Sequence, residues 1–245
     1  MSNHSSHREV QRIRHELRMR NLNVKSVESV GPGFLSVTVT GSELAGFTSL
    51  SFDDHIKIIL QDEQGNVIRR DYTPRHYDAQ AQELTIEFAV HDGGFASDWA
   101  RQTKAGDSLT IGGPRGSMVI PADYDWHLLI GDETALPAIS RRIEELSQDT
   151  HIQVIAKINS ADDMRHFGDK TNLSVIWVYD YAALLNEVVE LTLPKDGEGY
   201  IWCAGESAIM ASVKRTLVSA KGVDTKQLSV ASYWKQGVSD FHERL

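Results

Sequence analysis

From residue 22 to about residue 120, apolar and polar positions alternate in short runs: Val24 to Val30, Phe34 to Thr40, His55 to Leu60 and Leu84 to Val90. In LSVTVT (Leu35 to Thr40) and LTIEFAV (Leu84 to Val90), β-branched residues recur at period two, which predicts strands rather than helices. The turn-forming stretches GPG, DEQGN and HDGG punctuate these runs, so this half reads as an antiparallel β-barrel. One helix is expected inside it, opening at Ser97 in ASDWARQ, where Ser followed by Asp suits the free amides of a first turn.

After Pro121 the rhythm changes. HLLIG (127 to 131) precedes LPAISRRIEEL, and HIQVIAKI (151 to 158) precedes a short helical turn in DDMRHF. LSVIWVY (173 to 179) precedes YAALLNEVVEL, and YIWCAG (200 to 205) precedes SAIMASVKRTLVSA. This β-α repeat predicts a parallel sheet covered by helices on both faces. Ligands in such sheets sit beyond the carboxyl ends of the strands, which directs attention to GDETALP (131 to 137) and AGES (204 to 207). The organisation expected is an arm over residues 1–20, a barrel domain over 21–121 and an α/β domain over 122–245. A chain of 245 residues accommodates two such domains at about 100 to 200 residues each.

Composition narrows the function. With 41% hydrophobic and 24% charged residues the chain can bury a core, which excludes disordered and fibrous classes. The balance of 25 Lys+Arg against 34 Asp+Glu leaves a net charge of -9, which disfavours general nucleic-acid binding. The single cysteine, Cys203, can form no intramolecular disulfide and cannot supply the thiolates of an iron–sulfur or zinc site. Any redox chemistry therefore calls for a bound organic cofactor or for a metal held by other ligands. The start of the chain carries Arg8, Arg12, Arg14, Arg18 and Arg20 without the apolar run of a signal peptide, and no stretch reaches about 20 apolar residues. A cytoplasmic protein with no membrane partner and a helical or frayed N-terminal arm is expected.

The stretch RRDYTPRHYD (69 to 78) is the most informative. On an extended segment Arg70 and Tyr72 share one face and Thr73 takes the other. A guanidinium can hold a diphosphate bidentately, a tyrosine ring offers a stacking surface, and a threonine hydroxyl can bond a ring nitrogen. An ordinary surface pair of Arg and Tyr fits the same residues. No H-E-x-x-H or facial-triad spacing of histidines is present, so no protein-bound metal is expected. No G-x-S-x-G elbow supports hydrolysis, and neither G-x-G-x-x-G nor a Walker motif occurs.

Several motifs in one order carry a resemblance: FDDHIK (52 to 57), RDYTP (70 to 74), HDGGFASDWA (91 to 100), AGDSLTIGGPRGS (105 to 117), GDETALPAI (131 to 139) and YWKQG (233 to 237). The chain resembles the siderophore-interacting protein family, flavin-dependent ferric-chelate reductases of the ferredoxin-reductase-like superfamily. The resemblance implies an FAD-binding barrel followed by a domain that docks NADPH or NADH. Arg70 and Asp71 would lie at the cofactor, with Arg70 at its phosphates; Tyr72 would pack on the isoalloxazine and Thr73 would lie by its reactive N5 edge. Val90 and His91 would face the flavin through backbone groups, while Ala96 and Ser97 would meet the pyrophosphate at a helix N-terminus. Thr134 would guide the nicotinamide, and Glu206 fits the family pattern as well as it fits a plain helix-start carboxylate.

Asp132 and Glu133 depart from the glycine-rich loop of ferredoxin reductases and make the approach of a phosphate less favourable. The expected substrate is a ferric siderophore, of anionic catecholate type, held by Lys57, Arg115 and Lys235. Lys157 and Arg165 are candidate readers of a nucleotide 2′-phosphate. Two alternatives stay open: an FAD enzyme fed by ferredoxin, which the acidic GDET loop motivates, and a siderophore-binding protein without catalysis.

Overall fold

The computed structural model describes residues 8–238 and 243–245 of the chain. After β1 (Gln11–Arg14), the alternating half forms β2 (Met19–Ser29), β3 (Phe34–Thr40), β4 (Ile56–Gln61), β5 (Val67–Tyr72), β6 (Pro74–Asp78), β7 (Glu83–Ala89) and β8 (Ser108–Gly112). These last seven make one sheet in the order β5-β4-β8-β2-β3-β7-β6, antiparallel throughout. Its two edge strands, β5 and β6, are joined by Thr73 alone. A flat sheet cannot satisfy that connection, so the sheet curls until its edges meet and the apolar faces close on themselves. Val37, Val39, Ile56, Ile58, Leu84, Ile86, Phe88, Leu109 and Ile111 fill the interior.

The helix of this half, α1 (Phe95–Gln102), opens at Phe95 rather than at Ser97, with Gly94 in the cap position and no side-chain cap bond. The reason is that the Ser97 hydroxyl turns back into the preceding loop. It accepts from His91 N at 3.2 Å and donates to Ala89 O at 3.4 Å. The arm also departs from expectation: residues 11–14 are a strand, not a helix or frayed chain, and β1 pairs antiparallel with β9 (Gly116–Val119). An exposed strand edge offers backbone partners that outweigh the helical preference of a short segment. Just before it, Arg8 ion-pairs with Asp125 and Glu198 at 3.1 Å each, so the arm also ties to the second half.

The second half follows as β10 (Trp126–Gly131), α2 (Leu136–Glu145), β11 (His151–Lys157), β12 (Leu173–Val178), α3 (Tyr181–Glu190), β13 (Gly199–Glu206), α4 (Ser207–Arg215), β14 (Leu228–Trp234) and β15 (Glu243–Arg244). Its sheet order is β12-β11-β10-β13-β14-β15, parallel through the first five strands, with β15 antiparallel at the edge. The YWKQG motif thus begins inside a fifth parallel strand. DDMRHF holds only a 3-10 turn, Ala161–Asp163, and α4 continues into a π-helical turn at Thr216–Ala220. Chain order reverses at β10, which opens a crevice between the loops that leave β10 and β13.

Helices cover both sheet faces. α3 and α4 bury Leu184, Val188, Met210 and Val213 against Leu128, Ile130 and Ile155. On the other face Leu136, Ile139 and Ile143 of α2 share a core with Val154 and Trp202 of the sheet and with Phe34 and Phe52 of the barrel half. The two units are therefore joined by a continuous apolar core, and Phe52 meets Trp202 edge-on at 5.3 Å. Polar links flank it: Asp163 accepts from Gly33 N at 2.8 Å, and Glu87 binds Arg165 at 2.9 Å and Arg75 at 3.4 Å.

His127 in β10 is 2% exposed, and its Nε2 has no partner among the described residues. Burial, helped by the charge of Arg142, lowers its pKa from 6.5 to about 3. The unfolded chain therefore binds a proton below pH 6.5 that the folded chain refuses down to about pH 3. Stability should fall with pH across that window by up to about 1.4 kcal/mol per pH unit. Urea unfolding at stepped pH is expected to show a shallower acid limb for His127→Leu.

Candidate cofactor and substrate site

The seam of the curled sheet gathers the RDYT residues. Register places Ile56 opposite Tyr72, Lys57 opposite Asp71 and Ile58 opposite Arg70. Opposed residues share a face, so Arg70 and Tyr72 lie on the side of the buried isoleucines, while Asp71 and Lys57 lie on the other. The half-buried Tyr72 ring tilts against Phe88 at 4.3 Å, and Phe88 in turn meets Trp99 of α1 at 5.5 Å. This aromatic row fixes one face of Tyr72. Burial also pushes its phenol well above the ordinary value, which keeps it neutral. Thr73 is buried, and among the described residues the Arg70 side chain donates to the carbonyl of Arg69 and to no other group.

Val90 and His91 lead from β7 into the loop before α1, where a Cβ on Gly94 would meet the His91 ring at 2.4 Å. A side chain there would displace the exposed His91 ring, so glycine lets that ring pack over the helix start. Phe95, Ala96 and Ser97 precede the first helical bond, Asp98 N to Gly94 O, so their amides form an uncapped positive end. The Ser97 hydroxyl is committed to the loop, which leaves backbone amides as the groups this turn presents.

Across the domain junction, the 3-10 turn Glu133–Ala135 packs on β7, and Arg141 of α2 donates to Pro74 O at 2.8 Å. Seam and crevice are therefore neighbours. At the crevice floor Asp132 is fully buried and accepts from Thr134 N at 3.0 Å, Thr134 Oγ1 at 2.6 Å, Tyr181 OH at 3.2 Å, Glu206 N at 2.9 Å and Trp234 Nε1 at 2.9 Å. One carboxylate thus fastens the loops after β10 and β13, the start of α3 and the end of β14. Burial first, and then the charge of Glu133, raises its pKa, against the hydrogen bonds from Thr134 and Trp234.

This hub changes several sequence expectations. The hydroxyl of Thr134, expected to guide a nicotinamide, is held by Asp132. Asp132 and Glu133 do not present two free charges to a ligand, because Asp132 is sealed and Glu133 binds Lys157 at 3.1 Å. Lys157 and Arg165, candidates for a 2′-phosphate, sit in internal ion pairs with Glu133 and Glu87. Glu206 caps its own helix, accepting from Ala208 N at 2.7 Å and Ile209 N at 3.0 Å. The sequence reading missed Tyr181 and Trp234 as partners of Asp132. Their only signal was an acidic residue at the end of an apolar strand, where a charge must find donors or stay exposed.

The basic candidates occupy different settings. Lys57 pairs with Asp71 at 2.9 Å and remains partly exposed; Arg115 is exposed on the turn after β8, and Lys235 is exposed just past β14. Gly112 lies opposite Lys57, which brings the Arg115 turn beside the start of β4. Tyr233 donates to Asp53 at 3.2 Å, joining the β14 end to the segment ahead of Lys57.

A curled antiparallel sheet with an Arg-Tyr-Thr seam, packed on a five-stranded parallel sheet with its crevice at the seam, defines a two-domain flavoprotein of the ferredoxin-reductase kind. The match to a ferredoxin NADP+ reductase from Neisseria gonorrhoeae, with a TM-score of 0.66 at 12% identity over 89% of this chain and 100% of that one, shows that fold. Family models described as siderophore-interacting FAD-binding domain and siderophore-interacting protein match residues 23–69 with 62–118 and 124–237 respectively. An NADPH-dependent ferric-chelate reductase of Escherichia coli is 35% identical, over 91% of this chain and 96% of that protein. A siderophore utilization protein from T. fusca superposes with a TM-score of 0.90 at 31% identity, covering 95% of this chain and 98% of that one. The chain belongs to the siderophore-interacting protein family.

FAD suits the residues present. The partly buried ring of Tyr72 lies at the seam, and α1 begins with free amides and no side-chain cap, the chemistry a flavin ring and a pyrophosphate require. Asp132→Ala should strand several buried donors at once and cost about 2–4 kcal/mol, whereas Trp234→Phe removes one donor and should cost about 1 kcal/mol. Urea denaturation of the two variants reads the difference directly.

Proposed function

We propose that this chain reduces ferric iron held in a siderophore, with electrons drawn from NADPH or NADH by way of FAD. FAD lies on the barrel unit, residues 21–121, and the nicotinamide nucleotide docks on the α/β unit, residues 122–245. The observation that carries this reading is the meeting of the seam at Tyr72 and Thr73 with the crevice at Asp132, tied by Arg141 to Pro74. Bound FAD supplies the step from two-electron to one-electron chemistry. One nicotinamide nucleotide thereby reduces two ferric chelates, with release of one proton.

The chain's own groups bind and orient. Arg70 and the α1 amides hold the phosphates of the cofactor, Tyr72 supports its ring, and Asp71 and Thr73 frame it. Val90 and His91 close the loop over it, and Ala96 and Ser97 offer their amides. On the nucleotide side, Thr134 positions the nicotinamide through its backbone and methyl, since its hydroxyl binds Asp132. Lys57, Arg115 and Lys235 attract an anionic catecholate chelate to the flavin edge without touching the iron. Hard oxygen donors grip Fe(III) far better than Fe(II), so reduction itself loosens the metal. The work is placed in the cytoplasm; among the described residues no helix is long and apolar enough to cross a membrane.

A ferredoxin donor was motivated by repulsion between the GDET loop and a phosphate. With Asp132 sealed and Glu133 paired, that motive is weakened, and the pyridine nucleotide is the donor we favour. Binding of a siderophore without catalysis is tested by the same experiment.

Purified protein should be yellow with FAD, bleach when NADPH or NADH is added without oxygen, and recover its colour on a ferric siderophore while a ferrous trap develops. A colourless protein that takes up no FAD overturns the proposal; bleaching by reduced ferredoxin alone overturns the donor. Arg70→Ala and Tyr72→Ala should each weaken FAD binding about tenfold or more, read by flavin fluorescence titration. Lys57→Ala with Lys235→Ala should raise KM for an anionic catecholate chelate.

A further inference from the structure

The rim that carries the seam is shared by four strands. Tyr72 lies opposite Ile56, Lys57 opposite Gly112, and Gly112 opposite Met19, so the ends of β5, β4, β8 and β2 stand side by side. At the β2 end of this row opens a cavity of about 360 Å³ lined by Arg14, His15, Arg18, Arg20 and the Gly113–Pro114 turn. Glu16 is the carboxylate in its wall. The lining therefore sets three guanidiniums against one carboxylate, on a chain whose net charge is -9.

Glu16 offsets one of these charges through Arg18, and the other two have no carboxylate partner in the lining. Arg20 is buried and donates to carbonyl oxygens, from Nε to Glu43 O at 3.0 Å and from Nη1 to Gly113 O at 3.1 Å. Arg18 pairs with Glu16 at 2.6 Å and is exposed; Arg14 is exposed and makes no ion pair or hydrogen bond through its side chain among the described residues. His15 is held at the wall. The Ser117 hydroxyl donates to Asp54 at 2.6 Å, so it accepts the proton on His15 Nε2 at 2.7 Å. His15 N also donates to Arg115 O at 2.9 Å, which pins the Arg115 turn to the cavity edge.

We propose that this arginine cavity is a second anion subsite, which takes one anionic catecholate arm of a ferric chelate whose iron end faces the seam. The proposal rests on the ferric-siderophore reading above. From β5 to β2 is three strand spacings, about 14 Å, a span that a hexadentate chelate with its backbone can bridge. The planar fork of arginine suits the paired oxygens of a catecholate, and a tris-catecholate complex of a trivalent metal keeps three negative charges. The subsite thus selects polyanionic chelates over neutral hydroxamates, because the lining keeps an excess of positive charge.

The test uses the FAD-loaded full chain and redox-inert probes: the gallium(III) complex of a hexadentate tris-catecholate and that of a neutral tris-hydroxamate. Calorimetric Kd values are compared for the native chain and for Arg14→Ala with Arg18→Ala. The trianionic complex should bind about tenfold or more weaker to the double variant with a flatter salt dependence, and the neutral complex should shift by less than about twofold. Arg14→Lys with Arg18→Lys, which keeps the charge, should recover most of the loss. FAD content and the urea midpoint, measured alongside, establish that the variants are folded.

Equal effects on the two complexes, or none on the trianion, overturn the subsite. A loss of FAD affinity in place of chelate affinity overturns it too, since the cavity then serves cofactor phosphates. Because gallium binding needs no electron transfer, it reads the subsite even where the native chain reduces no ferric chelate, the result that would sink the parent reading. Normal reduction with an unchanged trianion Kd would sink the subsite alone.

Discussion

Joining β5 to β6 through one residue, Thr73, is the constraint from which the rest of the architecture follows. Two strands on opposite edges of a seven-stranded sheet cannot be consecutive in the chain unless the sheet curls until the edges meet. The curl closes the apolar interior, and it leaves a seam where the ladder is interrupted. Tyr72 and Thr73 stand at that seam because they are the residues that make the crossing. Local chemistry adds to this, but the location is a product of connectivity.

The second unit is placed on the seam by apolar burial and held in register by polar contacts. α2 buries Leu136, Ile139 and Ile143 in a core shared with Phe34 and Phe52, and Arg141 reaches Ser49 and Pro74. Burial of this kind is non-directional, so hydrogen bonds supply the register. Charge is managed in the same way. Asp132 is enclosed by donors, Glu133 holds Lys157, and Glu87 holds Arg75 and Arg165, so charges that look available along the chain are internal ties. The positive charge left over collects at the barrel rim, on the arm that β1 and Arg8 strap across both units.

Much of this was legible beforehand, for identifiable reasons. The period-two runs around Val37 and Ile86 became barrel strands because alternation expresses the pleat itself, and the four β-α pairs after Pro121 became a parallel sheet because apolar runs between amphipathic helices have no other burial. Less legible were features decided by partners remote in sequence. The arm reads as helix or frayed chain until the free edge of β9, about a hundred residues away, gives it a partner. Asp132 reads as a charge that repels phosphate until Tyr181 and Trp234 arrive from α3 and β14. Ser97 reads as a cap until its hydroxyl turns toward His91 and Ala89.

Periodicity, turn chemistry and motif order by themselves determined the two-unit organisation, the strand and helix types and the extended run of RDYT and the turn of HDGG ahead of a helix. Those properties are local, set by the pleat, the helical repeat and the stereochemistry of neighbouring residues. Tertiary structure decided which side chains are left to meet a ligand. Lys157, Arg165 and the Thr134 hydroxyl are taken by internal partners, whereas Arg14, which has no ion pair among the described residues, is brought to a rim that His15 ties to the Arg115 turn. Availability depends on where a group's counter-charge or hydrogen-bond partner lies in space, and linear order does not carry that distance.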